Sequence, residues 1–157
     1  MDRIRIGVVG LNFGRHHVRT LANMEDAALV AVADRHPGVP GGLETYAAFY
    51  GARAYRDGVE MLDHEDLDAV SLCTSPRTRA DLIEAAARRG VALFVEKPWA
   101  SHLAHARELA ALCQVHDAVV MVAFSFRFHP AIVRLRALID EELGTPWMLN
   151  GSYVFDW

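Results

Sequence analysis

Short, continuous apolar runs alternate along the chain with helix-length amphipathic segments. The runs lie at Ile6–Val9, Leu29–Ala33, Ala69–Cys73, Val91–Val95 and Val119–Ala123. Continuous hydrophobicity is typical of parallel strands that are covered on both faces. Ser75 and Pro76 carry the signals of a helix start and Gly90 those of a helix end, which predicts a helix over Pro76–Arg89. Repeated strand–helix–strand units predict an α/β fold with a doubly wound parallel sheet.

The end of the chain follows a different pattern. Pro130 predicts the start of a helix that ends at Gly144. The side chains that we expect to face inward from this helix are Ile132, Leu135, Leu138 and Ile139. From Trp147 to Phe155 apolar and other residues alternate, which predicts a half-buried strand. A lone strand has nothing to pair with, so we expect a truncated protein whose second, α+β domain is cut short.

Composition and charge exclude several classes of function. Of the 157 residues, 52% are hydrophobic and 23% are charged, and the net charge is −4 without charge blocks. This balance argues against binding to nucleic acid or to an anionic membrane. No apolar run is longer than seven residues, which is too short to span a membrane. The start lacks the apolar stretch of a signal peptide, and two cysteines make no disulfide framework, so we expect a cytoplasmic protein.

A glycine-containing turn follows the first predicted strand. It contains Gly10, Asn12, Phe13 and Gly14, and such a turn lets backbone amides approach a pyrophosphate at the start of a helix. The turn departs from the G-x-G-x-x-G pattern, because Asn12 replaces the middle glycine and Gly14 comes one residue early. Alone, it is equally consistent with a plain tight turn.

Asp34 ends the second predicted strand, 24 residues after Gly10. At this position an acidic side chain can accept hydrogen bonds from the ribose hydroxyls of a dinucleotide. The alternative is a solvated loop aspartate, but the position relative to the glycine turn favours a cofactor role and a Rossmann-like domain. A carboxylate repels a 2′-phosphate, so NAD is favoured, while the adjacent Arg35 leaves NADP open.

Several segments together carry a resemblance to a known family. They are Gly10–His17, Val32–Arg35, Cys73–Pro76, Phe94–Pro98 with its Glu-Lys-Pro, and Phe124–Pro130. The sequence resembles the N-terminal part of the Gfo/Idh/MocA oxidoreductase family. The resemblance implies a nicotinamide cofactor at the carboxyl ends of the strands. It also implies hydride transfer to or from a sugar, cyclitol or related polyol.

The Glu-Lys-Pro turn is expected to lie at the reacting end of the site. The resemblance implies that Lys97 is catalytic, since an ammonium near the substrate hydroxyl can polarise a carbonyl or stabilise an alkoxide. The alternative for Lys97 is a surface lysine that begins a loop. Glu96 either shapes the cofactor site or pairs with a nearby cation. Pro98 is a candidate for a preceding cis peptide bond.

Two further segments are assigned by the resemblance. Thr74, Ser75 and Pro76 match the turn that touches the cofactor, and capping of the next helix is compatible with this contact. Arg127 matches an arginine near the nicotinamide, and a structural salt bridge is an equal alternative. Arg79 stands where the family often has histidine, so a role that needs histidine there is in doubt.

We therefore expect a dinucleotide-binding domain over residues 1–124. Residues 125–157 would form a linking helix and the first strand of an incomplete substrate or dimerisation domain. The resemblance places the substrate pocket in that second domain, so we expect the chain alone to be inactive. The alternatives are a non-catalytic dinucleotide-binding module or a degenerate fragment that forms a homo-oligomer through its C-terminal strand. No metal is expected, because His102 and His105 have no third ligand of fitting spacing.

Overall fold

The structure is a computed structural model that describes residues 3–152. The chain divides after Ala123 into two compact units. In the first unit, strands and helices alternate in the order β1 (Ile4–Val9), α1 (Leu11–Leu21), β2 (Ala27–Ala33), α2 (Gly42–Phe49), β3 (Arg53–Tyr55), α3 (Gly58–His64), β4 (Ala69–Leu72), α4 (Ala80–Arg88), β5 (Ala92–Val95), α5 (Leu103–Val115) and β6 (Val120–Val122).

All six strands are parallel and form one sheet in the order β3-β2-β1-β4-β5-β6. The order runs outward in both directions from β1 and β4, so the sheet is doubly wound and the predicted Rossmann-like fold is confirmed. Because the strands are parallel, all their carboxyl ends lie at one edge. A crevice forms at this edge between β1 and β4, where the order in which strands are added to the sheet reverses.

The core explains why the strands read as continuous apolar runs. Successive side chains of a strand point to opposite faces of the sheet. Val8 packs in a cluster with Val18 of α1 and Leu43 of α2. Its neighbour Val9 packs in the other cluster, which includes Met61 of α3. Both faces of β1 are therefore covered by helices, and both sets of side chains have to be apolar.

The helix predicted from Pro76 begins later, at Ala80. Ser75 starts a turn in place of the helix, since its carbonyl accepts from the Thr78 amide at 3.1 Å and its hydroxyl accepts from the Arg77 amide at 3.3 Å. The serine therefore caps a turn, and the proline that follows it lies within this turn. The prediction of the helix start is wrong, whereas the end near Gly90 agrees with the structure.

Strand β3 is not indicated by the hydrophobic pattern, because it has only three residues and two of them carry polar groups. Tyr55 donates a hydrogen bond to Glu65 at 2.6 Å, and Arg53 forms an ion pair with the same carboxylate. The Glu65 carboxyl group is fully buried, so these two bonds satisfy it. An edge strand held by side-chain hydrogen bonds does not need an apolar run.

The second unit contains a 3-10 helix (Ser125–Phe128), α6 (Pro130–Leu138) and a π-helical turn (Ile139–Leu143). The predicted start of α6 at Pro130 is confirmed. The inward orientation predicted for Ile132 and Leu135 is wrong, since both are exposed. Within the described residues of this unit, α6 is accompanied only by the two short helical turns, and Leu138 at its end is half-buried.

The strand predicted from Trp147 is not formed over residues 147–152. A strand requires a neighbouring strand for its backbone hydrogen bonds, and the described residues of the second unit provide none. Tyr153 and Phe155 lie outside the described residues. Among residues 3–152, no helix has the length and apolarity that crossing a bilayer requires.

The packing of α3 against the sheet predicts the effect of one substitution. A Cβ atom at Gly58 would lie 2.6 Å from Leu82 Cδ2 and 2.8 Å from Val9 Cγ1. Gly58→Ala should therefore lower the free energy of unfolding by about 1–3 kcal/mol through overpacking. Urea denaturation measures the change. Gly38→Ala is the matched control, because nothing lies within 4 Å of the added methyl group. Equal stabilities of the two variants would contradict the packing described for α3.

Candidate functional site

A cavity of about 640 Å³ lies at the carboxyl edge of the sheet. Its wall is formed by the turns after β1, β2, β3 and β4 and by residues of α1, α3 and α4, namely Val9, Gly10, Asn12, Ala33, Asp34, Arg35, His36, Arg56, Asp57, Gly58, Val59, Cys73, Thr74, Ser75, Arg77, Thr78, Asp81 and Leu82. The structure thus brings together six of the predicted cofactor residues. They are Gly10, Asn12, Asp34, Arg35, Thr74 and Ser75.

The turn after β1 passes very close to the turn after β4. A Cβ atom at Gly10 would lie 2.9 Å from the carbonyl carbon and oxygen of Cys73, and Gly10 has a φ of 91°. The Gly10 amide also donates to the Ala33 carbonyl at 2.9 Å. Only glycine fits this position. Helix α1 begins directly afterwards, and Asn12 of its first turn lies in the cavity wall, so the positive end of α1 is beside the cavity.

Asp34 is held in place by the backbone on both sides. Its Oδ2 accepts from the Leu11 amide at 2.5 Å, and its Oδ1 accepts from the His36 amide at 2.7 Å. The first bond supplies an acceptor for the start of α1, since Gly10 has no side chain with which to cap the helix. Each carboxylate oxygen still has acceptor capacity for a ribose hydroxyl. Sequence reasoning identified the carboxylate but missed its bond to α1.

Arg35 is paired with Asp57 in the cavity wall. The distance from Arg35 Nη2 to Asp57 Oδ2 is 2.6 Å. The other oxygen, Asp57 Oδ1, accepts from the Val59 amide at 2.8 Å and so caps the start of α3. The Arg35 guanidinium and the hydrogen bonds from the Val59 and Glu60 amides hold the pKa of the Asp57 carboxyl below its usual value. Asp57 was not among the predicted site residues.

The turn after β4 contributes Thr74 and Ser75 to the wall, while Pro76 lies outside it. The Thr74 hydroxyl oxygen is buried and has no hydrogen-bond partner among the described residues. A buried hydroxyl without a partner is unfavourable, so a ligand that supplies one would be stabilised there. Burial raises the pKa of the neighbouring Cys73 thiol to about 11, so this side chain is a neutral thiol near pH 7.

The Glu-Lys-Pro turn follows β5 and forms a separate cluster. Glu96 Oε1 lies 3.3 Å from His17 Nε2, and its Oε2 accepts from the Lys97 amide at 3.1 Å. His17 Nδ1 in turn lies 2.7 Å from the Ser71 hydroxyl. Glu96 is therefore tied to α1 and β4, which is the structural pairing expected as one alternative. The Lys97 side chain is exposed, and the peptide bond between Lys97 and Pro98 is cis.

Arg79 connects the turn after β4 with the Glu-Lys-Pro turn. Its guanidinium donates to the carbonyl oxygens of Thr74, Glu96 and Pro98, the last at 2.9 Å. Only 1% of the residue is exposed, and burial lowers the pKa of its guanidinium. Sequence reasoning noted Arg79 only as a departure from the family's histidine. The structure shows that this arginine binds three carbonyls of the two turns.

Three predicted residues lie elsewhere. Phe13 is half exposed, with its ring 5.7 Å from that of His17. Gly14 is buried, and an added Cβ would lie 3.0 Å from Val8, so helix packing accounts for this glycine. Arg127 belongs to the 3-10 helix of the second unit, and its predicted role stays a prediction. In the described part of the chain no group of three or more His, Cys, Asp or Glu side chains could hold a metal ion.

Comparison with known sequences gives one family match. Residues 4–124 match the profile of the Gfo/Idh/MocA proteins, an oxidoreductase family with an NAD-binding Rossmann fold. The matched range contains all six strands of the sheet and every residue of the cavity wall.

Individual relatives agree with this match. The chain is 35% identical to the D-apiose dehydrogenase of Paraburkholderia graminis, over 98% of this chain and 41% of that protein. It is 36% identical to the inositol 2-dehydrogenase of Rhizobium meliloti, over 88% of this chain and 41% of that protein. The crystal structure of scyllo-inositol dehydrogenase from Lactobacillus casei with bound NAD(H) and scyllo-inositol superposes with a TM-score of 0.81 at 26% identity, over 89% of this chain and 42% of that one. The chain thus spans about 41% of the length of the curated relatives.

The contacts of Arg79 predict a large effect on stability. Arg79→Met keeps an apolar stem of similar length but leaves three carbonyls without their donor, so the free energy of unfolding should fall by about 2–4 kcal/mol. Arg88→Met is the matched control, because Arg88 forms an exposed pair with Glu84 one helical turn away. Its stability should change by less than about 0.5 kcal/mol. Urea unfolding of both variants measures these changes. A small change in the free energy of unfolding for Arg79→Met would show that its three hydrogen bonds contribute little to stability.

Proposed function

The chain belongs to the Gfo/Idh/MocA oxidoreductase family, whose fold binds NAD, and we propose that it is the cofactor-binding part of a nicotinamide-dependent oxidoreductase. The reaction of the whole protein would be hydride transfer to or from a sugar, cyclitol or related polyol. The observation that best supports this function is the cavity at the crevice of the sheet, where Gly10, Asp34 and Thr74 meet from three neighbouring strands. Relatives named as apiose and inositol dehydrogenases support the substrate class.

The residues of the cavity fit a dinucleotide. The start of α1 offers backbone amides and a positive helix end to a pyrophosphate, and Gly10 allows the turn before α1 to pass close to the turn after β4. Asp34 would accept from the hydroxyls of the adenosine ribose, and its negative charge favours NAD over NADP. The buried Thr74 hydroxyl would gain the hydrogen-bond partner that the described residues do not supply.

Lys97 is the residue that we assign to the chemical step. Bound nicotinamide would supply the hydride acceptor or donor. The Lys97 ammonium would stabilise negative charge on the substrate oxygen and donate a proton to it in the reduction, and the neutral Lys97 amine would accept the hydroxyl proton in the oxidation. Glu96 orients this turn through its bond to the Lys97 amide and its contact with His17. Arg127 would approach the nicotinamide. We expect no turnover by this chain alone, because the resemblance places the substrate pocket in a second domain.

We also propose a cytoplasmic location and self-association. Free Cys73 and Cys113 support a reducing compartment. Self-association is supported by exposed apolar side chains near the end of the described chain. Trp147 is 93% exposed and Leu149 is 71% exposed, and contact between two copies would remove these surfaces from water.

The binding of nicotinamide cofactors tests the main proposal. Titration calorimetry should show saturable binding of NADH with preference over NADPH. Asp34→Ala should weaken NADH binding by about 1–3 kcal/mol and reduce this preference, because a charge-assisted hydrogen bond is lost. Asp34→Asn is the matched variant, since it removes the charge and keeps one oxygen that can accept from the Leu11 amide, while the acceptor for the His36 amide is lost. An unchanged preference in both variants would exclude Asp34 as the ribose ligand.

Sedimentation at increasing concentration tests self-association. The weight-average molar mass should increase with the concentration of the chain, whereas a version that ends at Gly144 should stay monomeric. Phe49→Ser is the control, because Phe49 is an equally exposed apolar residue in the first unit. Its association should match that of the unaltered chain. Unchanged association after shortening would exclude residues 145–157 as the contact.

A further inference from the structure

The pairing of Arg35 with Asp57 bears on which cofactor the cavity accepts. Arg35 directly follows Asp34, and both residues line the cavity with Asp57. A guanidinium beside an adenosine ribose is the group that would bind a 2′-phosphate, because it can donate two hydrogen bonds to phosphate oxygens. In this structure the guanidinium donates to a carboxylate of the protein, at 2.6 Å.

We propose that Asp57 is a cofactor-selectivity residue, which favours NAD by keeping the Arg35 guanidinium from a 2′-phosphate. This inference rests on the proposed binding of NAD in the cavity. Asp57 does not need to touch the cofactor for this role, since it acts through the position of Arg35 and through its own negative charge.

The geometry explains why Asp57 is the fixed member of the pair. Its Oδ1 accepts from the Val59 amide at 2.8 Å and the Glu60 amide at 3.3 Å, which anchors the carboxyl group at the start of α3. The Arg35 side chain is 76% exposed, so apolar packing does not determine its direction. Asp57 is the acceptor that the structure gives for the guanidinium, and it therefore sets the position of the long side chain.

Charge gives a second reason for the selectivity. Asp34, Arg35 and Asp57 together carry a charge of −1, and a 2′-phosphate would add about −1.5 to −2. If the phosphate took the guanidinium, Asp57 would be left unpaired next to another anion. If it did not, the phosphate would face two carboxylates without the Arg35 guanidinium as a donor. A ribose 2′-hydroxyl is neutral and avoids both penalties, so Asp57 should discriminate against NADP and leave NAD binding nearly unchanged.

Substitution of Asp57 tests the inference with the whole chain. Asp57→Asn keeps an oxygen for the Val59 and Glu60 amides, because asparagine is as good a helix cap as aspartate, and removes the charge that holds Arg35. Titration with NADH and NADPH should show that the ratio of the NADPH to the NADH dissociation constant falls by about tenfold or more. Asp57→Ser, another good cap, repeats the test if the asparagine variant does not fold.

Two controls separate the release of Arg35 from a general charge effect. Glu60→Gln removes one negative charge from the first turn of the same helix, at an exposed side chain outside the cavity wall. Its ratio should stay within about twofold of the original, since Arg35 remains paired. The double variant Asp57→Asn with Arg35→Ala should lose most of the gain in NADPH affinity, because the released cation is then missing.

The outcomes are distinct. A fall in the ratio for Asp57→Asn that is absent in Glu60→Gln and in the double variant supports the inference. An unchanged ratio with intact NADH binding overturns the role of Asp57 and leaves the proposed function standing. An equal fall in Glu60→Gln, or a fall that persists without Arg35, also overturns it. If the unaltered chain binds neither cofactor, the proposed function fails and this inference fails with it.

Discussion

The close approach of Gly10 to Cys73 is the constraint on which the cavity depends. A side chain at Gly10 would occupy the space of the Cys73 backbone, 2.9 Å from its carbonyl group. Without this approach β1 could not continue into α1 between the turns after β2 and β4. The same turn places the Leu11 amide within 2.5 Å of Asp34, so that one carboxylate satisfies the start of α1 and faces the cavity. The cavity that forms the candidate site and the packing of α1 therefore depend on the same close approach of two turns.

The two ends of the candidate site are built by different interactions. At the Asp34 end, the charged side chains are mostly exposed and lie in the wall of an open cavity, where water and salt weaken their pairing. At the Lys97 end, the buried Arg79 binds the main chain through three carbonyls, and the Glu96 side chain, which is only 13% exposed, lies against His17. The first end is suited to selecting a ligand by charge. The second end is suited to keeping the Glu-Lys-Pro turn, to which we assign the chemical step, in one position.

The sequence predicts the fold well because most strands are buried on both faces. Their apolar runs are visible without knowledge of the neighbours, as Val8 and Val9 show for β1. Strand β3 has no such run, since Arg53 and Tyr55 are stabilised by Glu65 ten or more positions away. The strand expected from Trp147 is absent over residues 147–152 although apolar residues alternate there, because alternation leads to a strand only where another strand can pair with it.

Site residues, like strands, can be predicted from the sequence only where a local pattern marks them. Asp34 could be found because it directly follows a strand, at the edge where ligands of parallel sheets bind, whereas Thr74 was assigned by the family resemblance. The roles of Arg79 and Asp57 depend on contacts across the fold, so spacing along the chain gives no signal for them.

Arg79 and the Arg35–Asp57 pair differ in burial, and substitutions at these positions should therefore change different properties of the protein. Arg79 is enclosed with its three acceptors, and its loss would disturb both turns and the stability of the unit. Arg35 and Asp57 are coupled to stability mainly through the cap of α3, which asparagine or serine also provides. Exposed ion pairs contribute little to folding, so the charge pattern at this end can vary without loss of the fold. The charge pattern around Asp34 is therefore the property of this candidate site that is least tied to the stability of the protein, whereas the position of the Lys97 turn is closely tied to it.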